Sequence, residues 1–133
     1  IMSSDWSSDV CSSDLANDYE LSLIMQSTGL DKSGLLQLTS AIITTLGEEG
    51  CVVTEQSSEQ KIPAVKVKDA QDPTGCGDAF RSGLIKGLLL DKDLKDAAKL
   101  GAACASFCVE HKGTQEHRFT VDQFWDRFAS AYE

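Results

Sequence analysis

The chain has 133 residues, 41% of them hydrophobic and 25% charged, a composition that suits one soluble domain able to bury a core. Its 21 acidic residues outnumber the 12 basic ones for a net charge of −9, and with no Lys/Arg cluster to offset that excess a nucleic-acid groove is excluded. No apolar run is long enough to span a membrane.

The first fifteen residues stand apart. Ser3-Ser4-Asp5, Ser7-Ser8-Asp9 and Ser12-Ser13-Asp14 repeat one unit at irregular spacing, with neither the basic start nor the apolar stretch of a signal peptide. Asp9 to Leu15 resembles the conceptual translation of a sequencing-library adapter. Residues 1–15 therefore read either as a non-native, low-complexity segment or as a disordered acidic tail, with the domain proper at 16–133.

From there Asn17 to Thr28 reads as a helix and Lys32 to Leu38 as a shorter one. Ala41 to Leu46 is an apolar, β-branched run, Gly47-Glu48-Glu49-Gly50 turns, and Cys51 to Gln56 runs back, which predicts a β-hairpin. Ile62 to Val67 alternates apolar and charged residues, the pattern of a strand with one wet face. From Asp78 onward Phe80, Gly83, Leu84, Gly87 and Leu88 recur at helical spacing and give one closely packable face. After a break at 91–93, Leu94, Ala97, Ala98, Gly101, Ala105 and Cys108 predict a small-residue helix that Gly113 ends. Thr120 and Gln123 form a capping-box pattern, and Val121, Phe124, Trp125 and Phe128 supply the apolar face of a last helix. Helices set between strand segments indicate an α/β layered fold.

The chemistry concentrates in Asp72-Pro73-Thr74-Gly75-Cys76-Gly77-Asp78-Ala79-Phe80. Gly75 and Gly77 can adopt positive φ and admit a group close to the backbone, so the turn can aim several N–H groups at one anion. The cradle sits at a helix N-terminus, where the dipole and the free N–H groups favour phosphate. A carboxylate there is either a dipole-stabilising helix residue or a base: Asp78 would repel a phosphate unless it takes the proton from a hydroxyl attacking it. Neither a Walker-type loop nor a dinucleotide fingerprint is present.

This nonapeptide resembles the C-terminal signature D-[TP]-T-G-A-G-D-x-F of the PfkB, or ribokinase-like, family of carbohydrate and nucleoside kinases, with Cys76 in place of alanine. The resemblance extends through Asn17-Asp18-Tyr19-Glu20, Thr45-Leu46-Gly47-Glu48-Glu49-Gly50 and Val109 to Gln115, four motifs in family order. It implies the C-terminal part of a three-layer α/β sandwich with a mainly parallel sheet and a β-hairpin. It implies ATP and Mg²⁺ as cofactors, a monovalent cation such as K⁺, and a nucleoside or sugar as the small-molecule partner. By resemblance, Asp78 is the catalytic base and Gly75, Cys76 and Gly77 form the anion hole. Thr45, Gly47, Gly50, Thr74, Gly113 and Thr114 contact the nucleotide, Asn17 and Glu20 position Mg²⁺ through water, and Asp72 contributes to the monovalent-cation site.

Several of these residues carry a plain structural reading beside the functional one. Asn17 and Glu20 match a helix capping box, and Mg²⁺, which keeps several waters and binds few carboxylates, is compatible with that role. Gly47 and Gly50 suit a hairpin turn, and Gly113 a helix C-cap. Cys51, Cys76, Cys104 and Cys108 include no C-x-x-C pair and read as small buried thiols, which fits a reduced, cytoplasmic setting. Cys76, Arg81 and the later His111 to Thr120 stretch lean toward the adenosine and nucleoside kinase-like branch over ribokinase or fructokinase. The acceptor contacts and lid of such a kinase lie upstream of these motifs. The chain alone is therefore expected to be inactive, and a non-catalytic nucleotide-binding fragment is the alternative.

Overall fold

The computed structural model of the chain describes residues 13–133, so most of the Ser-Ser-Asp segment, with Cys11, lies outside the described residues. The chain divides into two compact units, one made of residues up to 46 together with 52–61, the other of 47–51 together with 62–133.

The first unit is built on a four-stranded sheet of order β1-β2-β3-β4, from β1 (Ser13–Asn17), β2 (Ala41–Thr45), β3 (Cys51–Glu55) and β4 (Glu59–Ile62). The sheet is mixed. β1 and β2 run parallel, in a register that sets Ser13 opposite Ala41 and Asn17 opposite Thr45. β2 to β3 and β3 to β4 are neighbours joined by connections far too short for a parallel crossover, so these are hairpins. β1 takes in Ser13, Asp14 and Leu15, so the sequence-based boundary after residue 15 falls inside a strand. Helix α1 (Asp18–Thr28) follows β1 directly and ends at Gly29, whose φ of 70° serves a left-handed cap. Leu21 packs with Ala16, Leu35, Leu36 and Ile42 to form the core, with Met25 and Leu30 against it. Helix α2 (Lys32–Leu35) is shorter than the periodicity predicts, because after Leu35 the N–H groups of Gln37 and Leu38 reach back only three residues, as in a tightened last turn.

The second unit is helical: α3 (Cys76–Leu89), α4 (Leu94–Val109) and α5 (Val121–Tyr132). Its packing rests on the absence of side chains. A Cβ on Gly83 would stand 2.5 Å from the Leu100 carbonyl oxygen, one on Gly87 2.6 Å from Ala97 Cα, and one on Gly101 2.8 Å from the Phe80 carbonyl oxygen. The backbones of α3 and α4 therefore approach as closely as helices can, burying Phe80 and Leu84 from one side and Ala97, Ala98 and Ala103 from the other. Phe107, Phe119, Phe124 and Phe128 continue this core as a file of rings, with Phe107 and Phe119 centroids 4.3 Å apart. Arg127 lies 3.7 Å over the Phe107 ring and pairs with Glu110 at 2.9 Å. Leu88, Val121 and Trp125, assigned to apolar faces from their spacing, are exposed.

The strand predicted over 62–67 is not formed. β4 ends at Ile62 because Pro63 has no N–H with which to continue the ladder. Among the described residues, no helix is long and apolar enough to cross a membrane.

Candidate active site

In the second unit the nonapeptide folds as a tight turn running into α3. Gly75 caps the helix in the left-handed conformation, φ 84° and ψ −6°, and offers no side-chain hydrogen bond to the exposed amides. A Cβ at Gly75 would stand 2.9 Å from Thr114 Cα, so glycine is required twice over, by dihedral and by contact. Gly77 differs from the sequence-based reading. It does not adopt positive φ, and a Cβ there would meet nothing within 4 Å. Its bare backbone keeps open the approach to the helix amides.

The amides are not equivalent. Cys76 N–H donates to the Pro73 carbonyl at 3.1 Å, which removes it from the predicted anion hole. Ala79 N–H closes the first helical bond to Gly75 at 3.0 Å. The N–H groups of Gly77 and Asp78 have no acceptor among the described residues and open toward solvent, the arrangement that receives an anion at a helix start.

Asp78 occupies the third helical position, its side chain 80% exposed and paired with Arg81 Nη1 at 3.0 Å. An exposed pair of this kind contributes about 0–1 kcal/mol and is easily exchanged for another partner. Arg81 is a partner of Asp78 that the signature alone does not name. The i, i+3 spacing on a helix was the signal available.

Asp72 holds the turn together. Its carboxylate accepts the Thr74 N–H at 2.9 Å and the Gly113 N–H at 3.0 Å, while the Gln71 and Asp72 N–H groups donate to the Val109 carbonyl at 2.7 and 3.1 Å. The Thr74 hydroxyl, with the Gly113 and Thr74 amides, lowers the Asp72 pKa from 3.8 to about 2. This explains Gly113 better than a helix cap does. Helix α4 has already ended at Glu110, and the φ of 87° at Gly113 serves the turn that delivers its N–H to Asp72. Thr114 follows, against Gly75. The structure thus brings Asp72, Thr74, Gly75, Cys76, Gly113 and Thr114 into one knot at the foot of α3.

Asn17, Glu20 and Thr45 belong to the first unit. There Asn17 Oδ1 accepts the Glu20 N–H at 2.7 Å and Glu20 Oε2 accepts the Asn17 N–H at 3.0 Å, a complete capping box on α1. Asn17 pairs in register with Thr45, so both stand at the carboxyl ends of adjacent parallel strands, the edge of an α/β sheet where ligands bind. The Thr45-to-Gly50 motif spans the division between the units. Within its turn Gly47, φ 59°, has open space at its Cα. Gly50, φ 96°, does not: a Cβ would collide with the Ile62 carbonyl and the backbone of Pro63 and Ala64, so packing requires glycine here whatever its part in binding. Among the described residues, no group of three or more His, Cys, Asp or Glu side chains could hold a metal directly. Glu20 keeps one carboxylate oxygen outside the capping box, which suits a contact through water.

Residues 12–120 match the model of the pfkB family carbohydrate kinases. Among curated proteins, the chain is 32% identical over 111 residues to a nucleoside kinase of Methanocaldococcus jannaschii, covering 84% of the chain and 37% of that relative. It is 35% identical over 124 residues to a nucleoside kinase of Methanothermobacter thermautotrophicus, covering 92% of the chain and 40% of the relative. Among solved structures it superposes on the Burkholderia thailandensis nucleoside kinase in complex with inosine at a TM-score of 0.89 and 32% identity, over 94% of the chain and 42% of that protein. The same enzyme is also known in complex with ADP-inosine. The chain therefore spans about two fifths of the length of the proteins it resembles.

Proposed function

The chain belongs to the pfkB family of carbohydrate kinases, and from that premise we propose that it is the phosphate-handling part of a kinase that moves the γ-phosphoryl group of ATP to a nucleoside hydroxyl. The observation that carries this reading is the start of α3. Glycine caps it without a side chain, its second and third amides are free, and a carboxylate stands at its third position. A nucleoside acceptor is supported by the two archaeal relatives and by the Burkholderia enzyme with inosine. A sugar hydroxyl is the second reading, favoured by the family's carbohydrate kinases.

In this mechanism Asp78 exchanges Arg81 for the acceptor hydroxyl and takes its proton as the oxygen attacks the γ-phosphorus. The Gly77 and Asp78 amides, with the dipole of α3, hold the charge that gathers on the transferred phosphoryl oxygens. Arg81, next to the base, faces the same charge. Thr45, Gly47, Thr74, Gly113 and Thr114 are the proposed nucleotide contacts. Mg²⁺, when bound, neutralises phosphate charge, and Asn17 and Glu20 would hold it through water. Asp72, ionised and with lone pairs left beyond its two N–H donors, is the proposed ligand of a monovalent cation.

Calorimetric titration of the chain with ATP and Mg²⁺ tests the nucleotide site; absence of binding would leave a fragment without function. The chemistry is tested in a chimera that joins the chain to the unmatched N-terminal part of the Methanothermobacter nucleoside kinase, assayed on inosine, adenosine, ribose and fructose. There Asp78→Asn is expected to lower kcat about 10²–10⁴-fold with little change in KM for ATP. Near-normal turnover would refute the base, and the preferred acceptor decides between nucleoside and sugar.

A further inference from the structure

Cys76 stands where the family pattern has alanine, and it does not stand alone. The close contacts between α3 and α4 follow an antiparallel register: Gly87 against Ala97, Gly83 against Leu100, Phe80 against Gly101. Carried one turn further, that register sets Cys76, the first residue of α3, against the stretch from Ala105 to Cys108 in the last turns of α4. The sulfurs obey it. Cys76 Sγ lies 3.8 Å from the Ala105 carbonyl oxygen and 3.9 Å from that of Asp72, and Cys108 Sγ lies 3.6 Å from the Thr74 carbonyl oxygen. Both sulfurs thus lie against backbone carbonyls of the one turn from Asp72 to Thr74. Cys108 is fully buried, whereas Cys76 retains access to solvent. Cys104 shares the α4 face with Cys108 but makes no such contact with the turn among the described residues.

We propose that Cys76 and Cys108 are a dithiol that a peroxide oxidises to a disulfide, cross-linking the foot of α3 to the end of α4. Cys76, the accessible member, attacks one peroxide oxygen, the O–O bond breaks, and a sulfenic acid and one water result. Cys108 then attacks the Cys76 sulfur, the S–OH bond breaks, and a second water leaves as the disulfide forms. Two thiols are oxidised by two electrons and one peroxide is reduced. Burial, with the Cys108 sulfur beside it, pushes the Cys76 thiol up to about 12, so the attacking thiolate is scarce near neutral pH and the oxidation is slow there and quickens as pH rises. A sulfur–sulfur bond of about 2 Å is far shorter than a thiol contact, so its formation drags the first residue of α3 toward α4. Cys76 N–H is then pulled from Pro73, and the Gly77 and Asp78 amides lose the alignment that an anion needs.

The cross-link follows from the geometry of the thiols and does not depend on the kinase reading; only its consequence for nucleotide does. The chain is treated with hydrogen peroxide, its remaining thiols are alkylated, and it is digested without reductant for mass spectrometry. The expected product joins the peptide of Cys76 to the peptide containing Cys104 and Cys108, and fragmentation places the bond at Cys108, so no variant need fold for the assignment. The product should survive Cys104→Ser, vanish in Cys76→Ala and in Cys108→Ser, and revert with dithiothreitol. Recovery of Cys76 as the alkylated thiol or as a sulfinic acid, or a bond placed at Cys104, would overturn the proposal. A chain that binds ATP when reduced should lose at least tenfold in affinity when cross-linked, with Cys76→Ala indifferent to peroxide. Unchanged affinity after complete cross-linking would overturn the effect on the turn, while failure of the reduced chain to bind ATP counts against the kinase reading alone.

Discussion

Two helix starts in this molecule carry motif residues, and they are built in opposite ways. At α1, Asn17 and Glu20 satisfy each other's backbone amides in a closed capping box. At α3 nothing caps: Gly75 lends its dihedral and no side chain, and Gly77 leaves the space above the next amides open. The contrast is wider than this pair. Asp31 caps α2, Asp93 caps α4 and Thr120 with Gln123 caps α5, so α3 is the one α-helix among the described residues with no side chain on its N-terminal amides. A cap is worth about 1 kcal/mol to a helix. A helix that forgoes it, and places two glycines there, leaves its second and third amides open. Asn17 and Glu20 serve structure first, and any role toward Mg²⁺ uses what the capping box leaves over.

The contrast is broken most severely at Gly75. Alanine there would be held at a φ of 84° with its Cβ 2.9 Å from Thr114 Cα, so Gly75→Ala should cost about 1–3 kcal/mol in urea unfolding and abolish ATP binding with it. Gly77→Ala should separate the two properties. Its Cβ meets nothing within 4 Å, and alanine suits a helical position better than glycine, so stability should rise by about 0.5–1 kcal/mol. The same methyl group lies across the approach to the amides, and ATP affinity in calorimetry should fall about tenfold or more, about 1.4 kcal/mol. Equal affinity in Gly77→Ala and the parent chain would sink the anion cradle. The effect at α1 is smaller and of ordinary sign: Asn17→Ala opens the capping box and should lower stability by about 1 kcal/mol, with ATP affinity unchanged in the absence of Mg²⁺.

The sequence made these helix starts legible because caps are local. N-x-x-E and T-x-x-Q fix α1 and α5 to the residue, and the glycine spacing of α3 and α4 foretells their close approach. What depends on distant partners was not legible. Ser13-Asp14-Leu15-Ala16-Asn17 has little strand propensity and becomes β1 only because the backbone of β2 lies beside it. The alternation of Val65-Lys66-Val67 promises a strand that the missing N–H of Pro63 cuts off. Gly75 and Gly77 look alike in the sequence, yet only Gly75 takes the left-handed conformation. Gly113 looks like a cap in the sequence because its long-range bond to Asp72 leaves no local trace.

That bond supplies the mildest test, one of pH. Asp72 has a folded pKa of about 2 against an ordinary 3.8, so between these values the unfolded chain binds more protons and stability rises with pH. Its contribution is therefore fully present above about 3.8 and is lost as pH falls through about 2. Asp72→Asn removes the charge, and one of its polar atoms becomes an NH₂ facing an N–H donor, so the variant should unfold at lower urea than the parent near neutral pH. Other carboxylates titrate alike in both proteins, so the gap between the two midpoints reports Asp72. It should hold steady down to about pH 4 and narrow toward pH 2. A gap independent of pH would mean that the turn is held by shape alone, and that Gly113 and Thr114 stay against Gly75 without the carboxylate's charge.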